Sequence, residues 1–243
     1  MQLGMGLEVA HFKNSSELSK ASASLVSQMA KDAVEKRGLF TFVLSGGHTP
    51  KPLYELFSRE PYLSQMPWKD VHLFWGDERF VDQNHQENNF WLAHSSFISK
   101  VPIPDENVHP ISTDADGVEL AAIRYEKEIR TFFGSADPVF DLMLMGIGPD
   151  GHTASLFPGS YTLDEKEKYV VSAEAPPDMP VSERITMTLP IINMARNALF
   201  LVSDETKKNI VDLILKEPDK AIKLYPSALV SCREKTIWYL GFL

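Results

Sequence analysis

The sequence predicts an α/β protein in which a mostly parallel sheet is flanked by helices on both faces, as in Rossmann-like folds. Short apolar runs without polar alternation indicate strands that are covered on both sides. Several of these runs end in polar or glycine-rich turns, and segments with helical periodicity lie between them. Parallel strands need such crossover connections, so the alternation favours a parallel sheet.

The first predicted helix begins after Asn14, because Asn14 and Glu17 have the spacing of a capping box. The first predicted strand covers residues 39–44, and a second helix starts after it at Thr49 or Pro50. Apolar residues recur at helical spacing in the first helix at Leu18, Ala21, Leu25, Met29 and Ala33. Further strands are predicted at 71–75, 140–145, 197–202 and from 236 onward, with a β-rich stretch at 184–190 and a helix at about 205–215.

The composition predicts one domain over residues 1–243, since a chain of 243 residues with 44% hydrophobic content can bury a sizeable core. The net charge of −9, without a dense Lys/Arg block, argues against nucleic acid or an anionic membrane as partners. The single cysteine, Cys232, excludes an internal disulfide and is consistent with a cytoplasmic location. No export signal or membrane span is indicated, and the oligomeric state is open between monomer and small homo-oligomer.

Three polar loops directly follow predicted strands, at residues 45–49, 76–80 and 146–153. Carboxyl ends of parallel strands share one edge of the sheet, where ligands bind, so we expect the loops to meet. In the first loop, Ser45, Gly46 and Gly47 precede a helix N-terminus, a setting that suits a bound phosphate. A tight strand-to-helix turn explains the same residues equally well, and no nucleotide-binding glycine motif is present.

The second loop contains three charged residues in a row, Asp77, Glu78 and Arg79. Such a run is usually a solvated loop. At the carboxyl end of a strand, however, the arginine can hold a substrate oxyanion while the two carboxylates orient its guanidinium. Residues 87–89, farther along, either belong to this site or are solvent-facing caps of the next helix.

The third loop has three glycines and a proline, and Asp150 stands two residues before His152. If the turn brings these side chains together, the carboxylate can orient the imidazole as a general base that works near neutral pH. A structural histidine is the alternative. The glycine-rich loop after a buried strand favours the catalytic interpretation.

The remaining histidines show neither zinc-ligand spacing nor an HExxH motif, so we expect no metal and no other cofactor. Ser155 lies outside a GxSxG turn, which argues against a serine nucleophile. Arg184 and Lys207 are either surface cations or phosphate ligands at the ends of predicted elements. Lys208 is the alternative to Lys207 in that role.

Six segments resemble, in order and across nearly the whole chain, those of the 6-phosphogluconolactonase family. That family belongs to a larger group with glucosamine-6-phosphate deaminase and ribose-5-phosphate isomerase. No single segment is decisive, whereas six in the same order are specific. The segments are LSGGHTP, WGDERFV, ENN, FDLMLMGIGPDGHTASLFPG, ERITMTLP and LFLVSDETKK.

The resemblance implies hydrolysis of 6-phospho-D-glucono-1,5-lactone to 6-phosphogluconate in the oxidative pentose phosphate pathway. It implies that His152, with Asp150 nearby, deprotonates the attacking water, and that Arg79, assisted by Asp77, stabilises the oxyanion or positions the substrate. A lactone is an activated ester, so positioning, one base and one cation are enough. The phosphate ligands that the resemblance implies are Ser45, Gly46, Gly47, Arg184 and Lys207.

Two alternative functions agree less well with the sequence. The related amino-sugar phosphate deaminases typically have tyrosine at the position of Arg79 and glutamate at that of Phe157, and phenylalanine cannot shuttle a proton. A non-catalytic sugar-phosphate-binding module normally has a DNA-binding helix-turn-helix, for which the predicted start of the chain leaves no room. The chain also departs from the lactonase pattern at His48, at 87–89 and at Asp204.

Overall fold

The computed structural model describes residues 6–242, so residues 1–5 and 243 of the predicted domain lie outside the described residues. The described strands are β1 Leu7–His11, β2 Phe40–Leu44, β3 Val71–Trp75, β4 Asp77–Arg79, β5 Leu142–Met145, β6 Val170–Glu174, β7 Glu183–Met187, β8 Asn197–Val202 and β9 Lys235–Leu240. The described helices are α1 Ser15–Arg37, α2 Lys51–Phe57, α3 Tyr62–Gln65, α4 Asn89–Ser96, α5 Val118–Phe133, α6 Leu189–Met194, α7 Lys208–Lys216 and α8 Pro218–Ala221.

Six strands form one parallel sheet in the order β1-β9-β8-β5-β2-β3, which confirms the predicted α/β architecture. The chain moves from β2 to β3 in one direction along the sheet, and from β5 through β8 to β9 in the other. Right-handed crossovers therefore place α2 and α7 on opposite faces. The reversal between β2 and β5 is a topological switch point, the place where open α/β sheets bind ligands.

A second sheet of three antiparallel strands, β4-β7-β6, is absent from the sequence-based expectations. The segment 77–79 was expected to be a loop and instead forms β4, so that expectation is wrong. Three charged residues do not indicate a strand, because strand propensity favours branched and aromatic side chains. Here pairing with β7 decides the conformation. The register places Arg79 directly opposite Arg184.

Helix α1 begins as predicted, since Asn14 Oδ1 accepts a hydrogen bond from the Glu17 N–H at 3.0 Å. The apolar residues at helical spacing face the core as the periodicity predicts: Leu18 and Ala33 are buried, and Ala21, Leu25 and Met29 are half-buried and pack against the core. The buried residues of α1 are Leu18, Ser19, Ser22, Ala23, Val26, Ser27, Ala30 and Ala33.

The parallel sheet forms the centre of the hydrophobic core. Phe200 on β8 and Trp238 on β9 are buried and stack with 4.0 Å between their ring centroids. At the amino edge of the sheet, the buried Asp141 carboxylate accepts hydrogen bonds from Thr41 and pairs with Arg37 at 2.7 Å. Within residues 6–242, none of the helices combines the length and the apolar character that crossing a membrane requires.

Candidate active site

One cleft of about 260 Å³ lies at the carboxyl edge of the parallel sheet, where the three polar loops meet as expected. Asp150 is the one predicted site residue that does not line it, and Lys208 does not line it either. The predicted residues that line the cleft are Ser45, Gly46, Gly47, Asp77, Arg79, His152, Arg184 and Lys207.

His152 and Asp150 form a hydrogen-bonded pair beside this cleft. Asp150 Oδ1 lies 2.6 Å from His152 Nδ1 and accepts the His152 backbone N–H at 3.1 Å. Burial raises the pKa of Asp150, but the hydrogen bonds and charge of His152 outweigh it, so that the pKa lies below its ordinary value. An ionised carboxylate at Nδ1 holds the proton on that nitrogen and leaves the Nε2 lone pair for chemistry.

The backbone of the loop folds tightly around this pair. The Gly148 N–H donates to the His152 carbonyl at 2.9 Å, and a Cβ at position 148 would lie only 2.1 Å from His152 Nδ1. Gly151 has a φ of 81°, which favours glycine, and a Cβ there would meet the Tyr225 ring at 2.4 Å. These two glycines therefore allow the imidazole to approach the carboxylate.

Phe157 covers the other flank of the imidazole. The two ring centroids are 4.7 Å apart, and Phe157 is 4% exposed. The side chain shields His152 from water without offering a proton donor or acceptor.

Two guanidinium groups lie on neighbouring strands, that of Arg79 on β4 and that of Arg184 on β7. Arg79 Nη1 donates to the Glu87 carbonyl at 2.6 Å and lies 3.3 Å from the Glu87 carboxylate. Arg184 is 5% exposed and donates from Nε to the Val181 carbonyl at 2.9 Å. Burial, followed by the charge of Arg79, lowers the pKa of Arg184. An anion in the cleft would relieve this repulsion.

Asp77 does not orient the Arg79 guanidinium by direct contact, contrary to expectation. Its buried carboxylate accepts a hydrogen bond from Ser155 Oγ at 2.8 Å. The Ser155 N–H in turn donates to Thr186 Oγ1 on β7 at 3.1 Å. Ser155 therefore joins the histidine loop to the small sheet, a role that no local sequence motif indicates.

Glu78 also has a different role from the expected one. It is fully buried and accepts backbone N–H groups of Asn89 and Phe90 at 2.7 and 2.9 Å, at the start of α4. It also accepts the backbone N–H of Arg79 at 2.7 Å. Burial raises the pKa of Glu78 to about 8. Glu78 therefore ties β4 to α4, while Glu87 contacts the guanidinium.

Asn88 and Asn89 are buried, so the alternative that residues 87–89 all face solvent is wrong. Asn88 caps α4 by accepting the Trp91 N–H at 2.9 Å. Asn89 Nδ2 donates to the Asp77 carbonyl at 2.9 Å, and its Oδ1 packs so closely on Gly46 that a Cβ at position 46 would lie 1.9 Å away. Asn89 therefore brings the first loop and β4 together.

The first loop is held to the helix that follows it. The Ser45 N–H donates to the Tyr54 hydroxyl at 3.0 Å, and that hydroxyl donates to the Ser45 carbonyl at 2.6 Å.

Lys207 reaches the cleft from the turn before α7, and burial lowers its pKa. His48, in contrast, is exposed at the cleft rather than packed. Among residues 6–242, no group of three or more His, Cys, Asp and Glu side chains is arranged to hold a metal ion.

The family model described as glucosamine-6-phosphate isomerases/6-phosphogluconolactonase matches residues 13–238. The chain belongs to this family. A 6-phosphogluconolactonase from Synechocystis is 38% identical over 86% of this chain and 84% of its own length. The probable 6-phosphogluconolactonase 2 of Arabidopsis thaliana is 38% identical over 94% of this chain and 91% of its own.

The solved structures agree with the sequence relatives. The crystal structure of 6-phosphogluconolactonase from Thermotoga maritima superposes with a TM-score of 0.83 at 30% identity, covering 97% of this chain and 99% of that one. The family resemblance that six sequence segments indicated is therefore confirmed.

Proposed function

We propose that this family member hydrolyses 6-phospho-D-glucono-1,5-lactone to 6-phospho-D-gluconate in the oxidative pentose phosphate pathway. The observation that carries the proposal is the 2.6 Å contact between Asp150 and His152 beside a cleft that two arginines also line. The relatives named 6-phosphogluconolactonase, which match most of the chain, support the choice of substrate.

In the proposed mechanism, His152 Nε2 removes a proton from water as the water oxygen attacks the lactone carbonyl carbon. The Asp150 carboxylate stabilises the imidazolium that forms. Arg79 stabilises the negative charge on the carbonyl oxygen. Asp77 assists indirectly, because it lies on the same strand, β4, and helps to position Arg79 through that strand. The intermediate then collapses, the bond to the ring oxygen breaks, and that oxygen takes the proton from the imidazolium to become a hydroxyl. The new carboxylic acid then loses its proton to water and becomes the carboxylate of the product.

The phosphate of the substrate would lie at the other end of the cleft. A dianion suits the loop of Ser45, Gly46 and Gly47 together with the cations of Arg184 and Lys207. Arg184 is already desolvated and has few competing hydrogen bonds, so charge-assisted bonds to phosphate cost little further burial. Lys207 is preferred to Lys208 because it lines the cleft.

The amino-sugar deaminase alternative lacks a proton shuttle at the required place, since Phe157 lies against His152. A non-catalytic module would not need an ionised partner for that histidine. We further propose that the chain acts as a single domain on this small molecule alone, in the cytoplasm, without a metal or other cofactor, and as a monomer or small homo-oligomer.

The test is lactone hydrolysis by the purified protein, with spontaneous hydrolysis subtracted. We expect enzyme-dependent formation of 6-phosphogluconate and no ammonium release from glucosamine 6-phosphate. Ammonium release without lactone hydrolysis would reverse the assignment, and a failure of both reactions would favour the non-catalytic module.

A further inference from the structure

Glu87 contacts the guanidinium of Arg79, which is proposed to stabilise the charge on the reacting carbonyl group. Its carbonyl oxygen accepts Arg79 Nη1 at 2.6 Å, and its Oε2 lies 3.3 Å from the same nitrogen. The Arg79 and Glu87 side chains are 22% and 32% exposed, so water screens this pair less than it screens a surface pair. Within residues 6–242, the hydrogen bonds of the guanidinium go through Nη1, which leaves Nε and Nη2 for a ligand.

The proposed reaction changes the charge next to this guanidinium. The lactone carbonyl is neutral, whereas the product has a carboxylate on the same carbon. A cation that stabilises the oxyanion of the transition state therefore also attracts the product carboxylate. Tight product binding slows product release, a step that limits turnover in many enzymes.

We propose that Glu87 is a positioning residue that competes with the product carboxylate for Arg79 and thereby weakens product binding. This inference rests on the proposed function. Before reaction, the Glu87 carboxylate offsets part of the guanidinium charge and fixes its orientation through one nitrogen. After ring opening, the new carboxylate and Glu87 repel each other across the same guanidinium, and this repulsion favours release.

The surrounding contacts and charges indicate that Glu87, rather than Asp77, has this role. Burial lowers the pKa of Arg184 and the charge of Arg79 lowers it further, while the charges of Asp77 and Glu87 act in the opposite direction. Ser155 already occupies Asp77 with a hydrogen bond at 2.8 Å. Glu87, which contacts a terminal nitrogen of Arg79, is therefore better placed than Asp77 to respond to a carboxylate on the ligand.

The inference is tested by binding of two ligands that share the phosphate and differ at C1. The ligand 6-phosphogluconate has a C1 carboxylate, whereas glucitol 6-phosphate has a neutral hydroxymethyl group there. Dissociation constants are measured by calorimetry for the parent protein, Glu87→Gln, Glu87→Asp and the control Glu119→Gln. Glu119 is exposed at the start of α5, outside the residues that line the cleft, and its substitution changes the net charge equally.

We expect Glu87→Gln to bind 6-phosphogluconate about five-fold more tightly, because the substitution removes one partly screened repulsion between the Glu87 carboxylate and the C1 carboxylate of the ligand. Glucitol 6-phosphate should change less than about two-fold, because its C1 group is uncharged. Glu87→Asp, which keeps the charge, should give a smaller change than Glu87→Gln, and Glu119→Gln should match the parent. Thermal unfolding of each variant checks that the fold is retained.

Unchanged or weaker 6-phosphogluconate binding by Glu87→Gln would overturn the inference. Equal tightening of both ligands would also overturn it, because the charge of Glu87 would then act on the phosphate end. A parent protein that binds neither ligand contradicts the proposed function instead, so the two failures are distinguishable.

Discussion

The substitution Gly148→Ala tests whether the placement of the imidazole controls the reaction rate. The new Cβ would lie 2.1 Å from His152 Nδ1 and 2.8 Å from Asp150 Oδ1, whereas ordinary contact begins at 3.4 Å. The imidazole must therefore move by about 1.3 Å, and a displacement near 1 Å at a reacting group costs about 100-fold in rate. Gly148 has no positive φ, so alanine adds this clash without backbone strain.

Steady-state kinetics on the lactone, corrected for spontaneous hydrolysis, measure this effect. We expect kcat to fall about 100-fold while KM changes little, because the clash is with the proposed base rather than with the phosphate ligands. The control is Gly76→Ala, whose Cβ would make only ordinary contacts of 3.6 Å or more. A Gly148→Ala protein that folds normally and keeps kcat within about three-fold of the parent would refute the reasoning.

Three further predictions concern neighbouring groups. Since His152 lowers the pKa of Asp150 in the folded protein, the stability that this pair contributes is fully present above the ordinary value of 3.8 and is lost as pH falls through the folded value. The difference in urea midpoint between the parent and Asp150→Asn should therefore shrink on acidification; a constant difference would contradict the coupling. Arg184→Ala should raise KM by about 10- to 100-fold and lower kcat much less, as expected for a charged phosphate ligand. A fall in kcat alone would contradict that role. Ser155→Ala should cost about 1–3 kcal/mol of unfolding free energy, because the buried Asp77 carboxylate loses a donor. The exposed Ser24→Ala is the control, and equal urea stability of the two variants would exclude this explanation.

The sequence predicts β2, β3, β5 and β8 of the parallel sheet well because these strands are almost fully buried and therefore largely apolar, whereas the exposed edge strand β1 is missed. Residues 71–75 and 197–202 form strands with the predicted bounds. The β-rich stretch predicted at 184–190 overlaps β7, but β4 is missed because its charged residues form a strand only through tertiary pairing with β7. The apolar periodicity of α1 identifies residues that contact the core, but not the small serines that are buried beside them, because serine is not an apolar residue.

The loops of the candidate site could be placed from sequence because strand order alone brings them to one edge. The partners of each charge could not. Which carboxylate meets Arg79 depends on the turn before α4, which puts Glu87 rather than Asp77 or Glu78 beside the guanidinium. Ser155 has no recognisable motif for its role, since its hydrogen bond spans distant parts of the chain.

The substitution His152→Asn tests most directly whether His152 acts as the base. Asparagine can keep a hydrogen bond to Asp150 but has no basic nitrogen. We expect enzyme-dependent lactone hydrolysis to fall at least about 100-fold, with the affinity for 6-phosphogluconate within about three-fold of the parent. Retention of most of the activity by a folded His152→Asn protein would contradict the account.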